Sequence, residues 1–389
     1  MSARFARTAQ LRCSASAPIA RASLCRALGG KFPLHDFAKA AASRASLDTH
    51  MMKPLIRKIE SGSDLSRQEA ENAMEEILSG RSDEETIVAL LATLRAKGET
   101  VGELVGFARA MRRHVTPVFP NGARPEELLV DTCGTGGDFS GTFNISTAAA
   151  FVAAGAGVRV AKHGNRSISS KCGSADVLEE LEVPLDLPPE RVGAAILEIG
   201  IGFLFAPALH TAMRHAMPAR RRLGRTAFNL LGPLTNPAGA RAQVAGVFSD
   251  KVVEKVALVL TELDVERAFV VHGAGGLDEI SLSGETTVGD VRREVVRIYQ
   301  ITPEDFGLER APLEAIAGGD AALNAGLIRA ILAGEKGPRR DIVVANASAA
   351  IVAGGRATDF LEGAQMAAQS IDSGAARKKL EELIAFTRN

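Results

Sequence analysis

Leu128-Leu129-Val130 leads straight into Asp131-Thr132-Cys133-Gly134-Thr135-Gly136-Gly137-Asp138, and a helix-forming run, Ser146 to Ala154, follows. No other stretch restricts the fold so tightly. The apolar entry predicts a buried strand. Three glycines in four positions let the backbone turn sharply and bring its amides close to a ligand. Asn144, Ser146 and Thr147 then open a helix whose unpaired amides and dipole favour an anion. Strand, glycine loop and helix start together predict a phosphate site, although the same residues also suit a tight strand-to-helix turn. Asp138 sits inside the loop, where bare phosphate would be repelled. It fits a sugar hydroxyl, a metal-bound water or a backbone amide, which points to a phosphorylated sugar. A Walker loop is excluded because Asp138-Phe139 stands where Lys-Ser or Lys-Thr is needed. A dinucleotide fingerprint read from Gly134 fails at Phe139.

Two further clusters point the same way. Val158-Arg159-Val160-Ala161 predicts a strand running into Lys162-His163-Gly164-Asn165-Arg166-Ser167-Ile168-Ser169-Ser170. Lys162 and Arg166 supply cations and the serines hydroxyls, a donor density that suits pyrophosphate, or else a solvated basic loop. Farther on, Gly275-Gly276-Leu277-Asp278-Glu279 places adjacent carboxylates after a predicted strand. These acids could hold Mg²⁺, which takes one or two protein carboxylates plus phosphate oxygens, or could simply be solvated. Arg214, Arg220, Arg221, Arg222 and Arg225 crowd the segment between His210 and Asn229. One such arginine can fork onto a substrate carboxylate.

The chain has 389 residues, no Trp and one Tyr, so stacking platforms for single-stranded nucleic acid are scarce. Its net charge of zero hides an Arg-rich, Ser-rich leader over residues 1–51. The other 38 Lys and Arg and 44 Asp and Glu leave the body at −6. An acidic body opposes a nucleic-acid partner. The leader has the composition of an organelle transit peptide, or is upstream sequence ahead of a true start at Met51 or Met52. The expected location is cytoplasmic, and organellar only if the leader is a transit peptide. No apolar run reaches the roughly 20 residues of a membrane span. Cys133 and Cys172 fall beside the loops and read as buried thiols, with a catalytic thiol as the alternative. The absence of a C-x-x-C pair argues against structural zinc.

The expected fold is α/β, with a small all-helical domain over residues 52–120 and a large domain over 121–389 holding a mostly parallel sheet. Part of about 205–230 should pack on the helical domain. Ser66-x-x-Glu69, Ser82-x-x-Glu85 and Thr100-x-x-Glu103 predict three helix starts. Strands are expected at Leu128–Val130, Val158–Ala161, Gln243–Phe248, Ala268–Val271 and Arg292–Ile301. Helices are expected near Ala325–Gly334, Asp341–Ala353, Leu361–Ser370 and Ala376–Phe386.

Taken together, Gly134–Asp138, Asn144–Thr147, Lys162–Ser167, Gly173-Ser174-Ala175-Asp176-Val177-Leu178, Phe228–Leu234 and Gly276–Ser281 resemble the anthranilate phosphoribosyltransferases. The resemblance runs from about Met52 to the C-terminus. It implies an active site in a hinge cleft and a homodimer formed through helical-domain surfaces. It assigns phosphoribosyl pyrophosphate to Gly134, Gly137, Asp138, Thr142, Asn144, Ile145, Ser146 and Thr147. To the same ligand it assigns Lys162, His163, Gly164, Asn165, Arg166, Ser167, Ile168, Ser169, Ser170 and Ser174. Anthranilate would meet Gly134, Asn165, His210 and Arg220, and Mg²⁺ would be held by Ser146, Asp278 and Glu279. No acid, base or nucleophile is implied. The chain lacks the residue that the family usually has between Gly224 and Arg225, so Arg221 is the alternative to Arg220. A pyrimidine nucleoside phosphorylase is the neighbouring reading, and a nucleic-acid-binding relative the non-enzymatic one.

Overall fold

The structure is a computed structural model and describes residues 51–122, 124–137, 140–167 and 171–388. The leader, apart from Met51, lies outside the described residues, as do Asp138, Ile168, Ser169 and Ser170. Four helices come first: α1 over residues 51–60, α2 Arg67–Leu78, α3 Glu84–Lys97 and α4 Val101–His114. Ser66 and Thr100 form the expected capping boxes with Glu69 and Glu103. The middle start differs by one residue. Asp83, not Ser82, is the N-cap, and its carboxylate accepts from Thr86 N. An ionised cap complements the helix dipole better than a hydroxyl does.

After Pro117 and Pro120 the chain builds a seven-stranded sheet. Its strands are β1 Leu129–Gly134, β2 Arg159–Gly164, β3 Ile201–Phe205, β4 Ala242–Gly246, β5 Arg267–Gly273, β6 Thr286–Arg292 and β7 Val295–Ile301. The order is β3-β2-β1-β4-β5-β6-β7, parallel through β5 and antiparallel at β6 and β7. The expected single strand Arg292–Ile301 is instead the second arm of a hairpin, turning at Arg293 with φ 54°. Its first arm, β6, escaped the apolar pattern because it contains Gly289 and Asp290. A β-carbon on Gly289 would lie 3.0 Å from Ala257 Cβ, so packing demands a small residue there. Buried Asp290 is paired with Arg267.

Helices cover both faces. Between β1 and β2, α5 Ile145–Gly155 is buried except at Ser146 and Gly155. It packs with the late helices α6 Pro338–Ala353, α7 Phe360–Asp372 and α8 Ala375–Arg388 on one face. The helix over Val253–Thr261 lies on the other face, and its core is continuous with that of α1–α4. Arg112 of α4 donates to Leu234 O and Leu263 O, both at 2.8 Å, tying the bundle to the sheet's loops. Among the described residues no helix is long and apolar enough to cross a membrane.

Helices α2 and α4 cross closely at Gly106, where an added β-carbon would lie 2.3 Å from Arg67 O. Gly106→Ala is therefore expected to cost about 1–3 kcal/mol of stability, measured by urea denaturation. An unchanged midpoint and slope would contradict the tight crossing.

Candidate active site

Strand order reverses at β1, which has β2 on one side and β4 on the other. Crevices at the carboxyl ends of strands beside such a reversal are where open α/β sheets bind ligands. Both strands end there in glycine, with Gly134 in register with Gly246. Side chains have no room at either position. A β-carbon on Gly246 would lie 1.6 Å from Asp278 O, and one on Gly134 would lie 2.6 Å from Asp278 Oδ2. The segment after β5 thus crosses directly over the ends of β1 and β4.

Asp278 Oδ2 accepts from Gly136 N at 2.8 Å, and Glu279 Oε1 accepts from Ser146 N at 3.1 Å. Two of the amides read from sequence as phosphate donors therefore hold carboxylates. Thr147 N bonds to Asn144 O, and the Thr147 and Ile145 side chains are buried. Asn144, at the helix start, has its side chain bonded at both ends, donating to Cys172 O and accepting from Asn324 Nδ2. Thr142 bridges to Ala317, which ties the glycine loop to the far segment.

Lys162 is buried at the end of β2, and its Nζ donates to Thr132 O at 2.6 Å and Ser146 Oγ at 3.2 Å. Burial pushes its pKa down, opposed first by the field of Asp131 and then by Cys133, Glu279 and Asp278. Asp131, wholly buried, is itself raised by desolvation. Its oxygens accept from Asn236 Nδ2 at 2.7 Å, His163 N at 3.0 Å and Cys133 Sγ at 3.2 Å. Among the described residues, Asp131, Cys133 and His163 are the one set of three or more His, Cys, Asp or Glu side chains close enough together to share a metal ion. The carboxylate is spent on those hydrogen bonds, and burial beside it raises the Cys133 thiol well above its ordinary range. A hydrogen-bonded core explains the grouping. It also disposes of Cys133 as a nucleophile, since the thiolate is the reactive form.

The second loop is held by its own residues. Asn165 N donates to Ser174 Oγ at 3.2 Å, and Ser167 N donates to Asp176 Oδ2 at 3.0 Å. A β-carbon on Gly164 would lie 2.2 Å from Ser174 Oγ, so glycine is required for that approach. Arg166, expected among the phosphate donors, forks onto Glu179 and also reaches Asp176. His163 and His210 stack with ring centroids 4.9 Å apart, and both Nε2 atoms are buried without a hydrogen-bond partner. Burial first, and then His210, lowers the pKa of His163 to about 3; burial lowers that of His210 to about 4. Both imidazoles are neutral at physiological pH.

Within the arginine cluster the two alternatives differ in burial and surroundings. Arg221 and Arg222 are exposed, and Arg222 pairs with Glu84 and Glu85. Arg220 is half-buried, lies 5.3 Å over the Phe228 ring, and has no carboxylate partner among the described residues. Arg225 donates to Gly137 O and lies 4.1 Å over Phe248. Asp131, Asn236 and Gly246 had no functional reading in the sequence. Their only signals were the place of Asp131 directly after an apolar run, the rigid Pro237 after Asn236, and a glycine inside the apolar run Gln243–Phe248.

A helical bundle joined to an α/β sheet with phosphate-type loops at the strand reversal defines a class, and comparison with known proteins agrees. The chain belongs to the glycosyl transferase family: its "helical bundle domain" matches residues 53–115 and its "a/b domain" residues 126–377. Within that class it belongs to the anthranilate phosphoribosyltransferase family. It is 55% identical to the anthranilate phosphoribosyltransferase of Pelotomaculum thermopropionicum over 87% of this chain and 97% of that one. The Symbiobacterium thermophilum enzyme is 54% identical over 86% and 98%. The solved Thermus thermophilus enzyme superposes with a TM-score of 0.81 at 47% identity, covering 86% of this chain and 99% of that one. The Saccharomyces cerevisiae enzyme, solved with phosphoribosyl pyrophosphate and Mg, superposes at 0.80 with 28% identity over 87% and 99%.

The buried imidazoles carry a pH signature. Unfolded histidine takes up a proton near pH 6.5, whereas His163 and His210 resist it down to about 3 and 4. Stability present above pH 6.5 should therefore be lost as pH falls toward 4, by up to about 1.4 kcal/mol per pH unit per histidine. Urea titrations at pH 7, 6 and 5 on the wild type and His210→Asn test this. The variant should lose less stability on acidification, and parallel curves would contradict the assignment.

Proposed function

We propose that this protein transfers the phosphoribosyl group of phosphoribosyl pyrophosphate to the amine of anthranilate, with release of pyrophosphate, in tryptophan biosynthesis. The observation that carries the reading is the convergence of Lys162, Asp278, Glu279 and the glycine loop where the strand order reverses. Acids, a buried ammonium and backbone amides are the groups needed to hold a diphosphate by its leaving end.

In the reaction, the C1–O bond of the ribose breaks and its electron pair leaves with pyrophosphate. The amine lone pair forms the C1–N bond, and the nitrogen releases a proton to solvent. Stabilising the departing charge is the main task. The Lys162 ammonium contributes from beneath Ser146, where burial strengthens its field. Arg220 meets the anthranilate carboxylate, and the neutral imidazoles of His163 and His210, with Nε2 atoms unpartnered, line the aromatic side without adding charge. Asn165, Ser167 and Ser174 shape the loop that receives the sugar phosphate. Placing the amine behind C1 supplies the rest of the rate.

The residues present suit Mg²⁺: Asp278 and Glu279 offer hard carboxylate oxygens, and the absence of side chains at Gly134 and Gly246 lets their segment cross the ends of β1 and β4. Ser146 Oγ is the third donor, shared with Lys162. When bound, the ion would neutralise charge on the pyrophosphate. The reading also includes two domains, over 52–120 and 121–389, a homodimer formed through helical surfaces, small-molecule partners only, and a cytoplasmic reaction.

The direct test is pyrophosphate release from phosphoribosyl pyrophosphate, with and without anthranilate. Release only in the presence of anthranilate is expected. Phosphorolysis of thymidine or uridine without that release would favour the phosphorylase reading. Arg220→Ala should raise the anthranilate KM by about 10–100-fold, the loss of a charged hydrogen-bond pair, with little change for the sugar substrate. Equal effects on both would count against its role. Asp278→Asn combined with Glu279→Gln should remove Mg²⁺-dependent turnover, lowering kcat/KM by on the order of a hundredfold or more. Wild-type metal dependence would remove that site.

A further inference from the structure

We infer that Asn346, on α6, is the positioning residue that sets the geometry of the Asp278-Glu279 pair. The inference rests on the metal-holding role given to those acids above.

The segment carrying the acids runs free of the sheet's ladders just past the end of β5. Its neighbours are a bridge from Leu277 back to Gly273 and a bond from Ser281 N to Thr286 Oγ1. Between them, Ile280 finds both backbone partners in one side chain. Asn346 Oδ1 accepts from Ile280 N at 2.9 Å, and Asn346 Nδ2 donates to Ile280 O at 3.0 Å. A second bond from Nδ2, to Ile342 O at 2.9 Å, fixes the amide's orientation. Only one orientation satisfies one N–H and two carbonyls at once. Asn346 is 2% exposed, so water cannot substitute for these bonds. A carboxamide here does the work of a neighbouring strand, at the residue directly after Glu279.

The position of that clamp matters. α6 packs against α5, which presents Ser146. Asn346, Ser146, Glu279, Gly134 and Gly246 line the same small recess. The Asn346 amide therefore links the backbone of the acid pair to the helix layer behind Ser146 N, the donor to Glu279. Loosening the clamp would let both carboxylates drift, while leaving Arg220 and the anthranilate side untouched. An aliphatic side chain of similar size would fill the volume but leave the Ile280 N–H and C=O buried and unpaired.

The test is calorimetric titration of phosphoribosyl pyrophosphate into wild type and Asn346→Leu, with Mg²⁺ and with EDTA, alongside the anthranilate KM. Outer-shell partners of metal ligands typically contribute 10–100-fold to metal affinity, so a loss of at least about tenfold is expected in the Mg²⁺-dependent part of the affinity. The EDTA value and the anthranilate KM should stay at their wild-type levels. A folded variant with wild-type Mg²⁺-dependent affinity would overturn the inference, as would a uniform loss in every column. A second measurement uses the unaltered protein, in case the variant does not fold. By linkage, if opening the clamp weakens the metal complex, the metal complex must suppress opening. Hydrogen exchange at the Ile280 amide should then slow when Mg²⁺ and phosphoribosyl pyrophosphate bind together, and no slowing would overturn the assignment. The variant Asp278→Asn, Glu279→Gln separates the two levels. If it keeps Mg²⁺-dependent affinity, the role of the acids fails and that of Asn346 with it. If it loses that affinity while Asn346→Leu keeps it, the acids stand and the positioning role alone fails.

Discussion

The backbone of Asp278 passes so close to the end of β4 that even the β-carbon of alanine on Gly246 would meet its carbonyl oxygen at 1.6 Å. The paired glycine at the end of β1 leaves the same kind of space for the Asp278 carboxylate. This double close approach brings two carboxylates over the mouth of a parallel sheet, within reach of a glycine-loop amide and a helix-start amide. The acids are then held by fixed N–H groups, so that in the proposed reaction a diphosphate entering the crevice would meet a preorganised set of charges. Preorganisation of this kind removes the reorganisation cost that water would impose at the moment of bond cleavage.

Burying so many charges needs compensation, and the structure supplies it in a chain. Lys162 lies under Ser146 with Asp131 as its principal countercharge. Asp131 is satisfied by Asn236, by the backbone of His163 and by the Cys133 thiol. Arg112 then anchors the Leu231–Pro237 segment, which holds Asn236, to the helical bundle through Leu234 O. A buried carboxylate with three donors is far less costly than an isolated one. Arg220 stands apart from this chain: exposed Arg166 and Arg222 pair with neighbouring glutamates, whereas half-buried Arg220 lies over the Phe228 ring with no carboxylate partner among the described residues.

Much of the architecture was legible because the signals were local. The Leu128–Gly134 run, the glycines after it and the capping boxes at Ser66 and Thr100 each declare themselves within a few residues. What stayed hidden depends on neighbours distant in sequence. β6 contains Gly289 and Asp290, acceptable only because Ala257 and Arg267 face them. The N-cap moved from Ser82 to Asp83 because two adjacent residues could each cap, and the carboxylate complements the helix dipole better. The pairing of Arg166 with Glu179 across the loop had no signal in the sequence. Ser146 N looked free for an anion until Glu279 arrived from 133 residues away. Asn346 gave no signal at all, since a single Asn in an Ala-rich helix reads as tolerated rather than required. The difference in burial between Arg220 and Arg221, and the Phe228 ring beside Arg220, are not encoded in spacing.

The account stands on where the diphosphate binds. Crystals of the protein soaked with phosphoribosyl pyrophosphate and Mg²⁺ would show this most directly. The account predicts pyrophosphate oxygens and a divalent ion beside Asp278 and Glu279, the sugar phosphate toward the Asn165–Ser174 loop, and C1 facing the side of the crevice where Arg220 lies. Density for the pentose away from both the Gly134–Gly137 loop and Asp278 would contradict it.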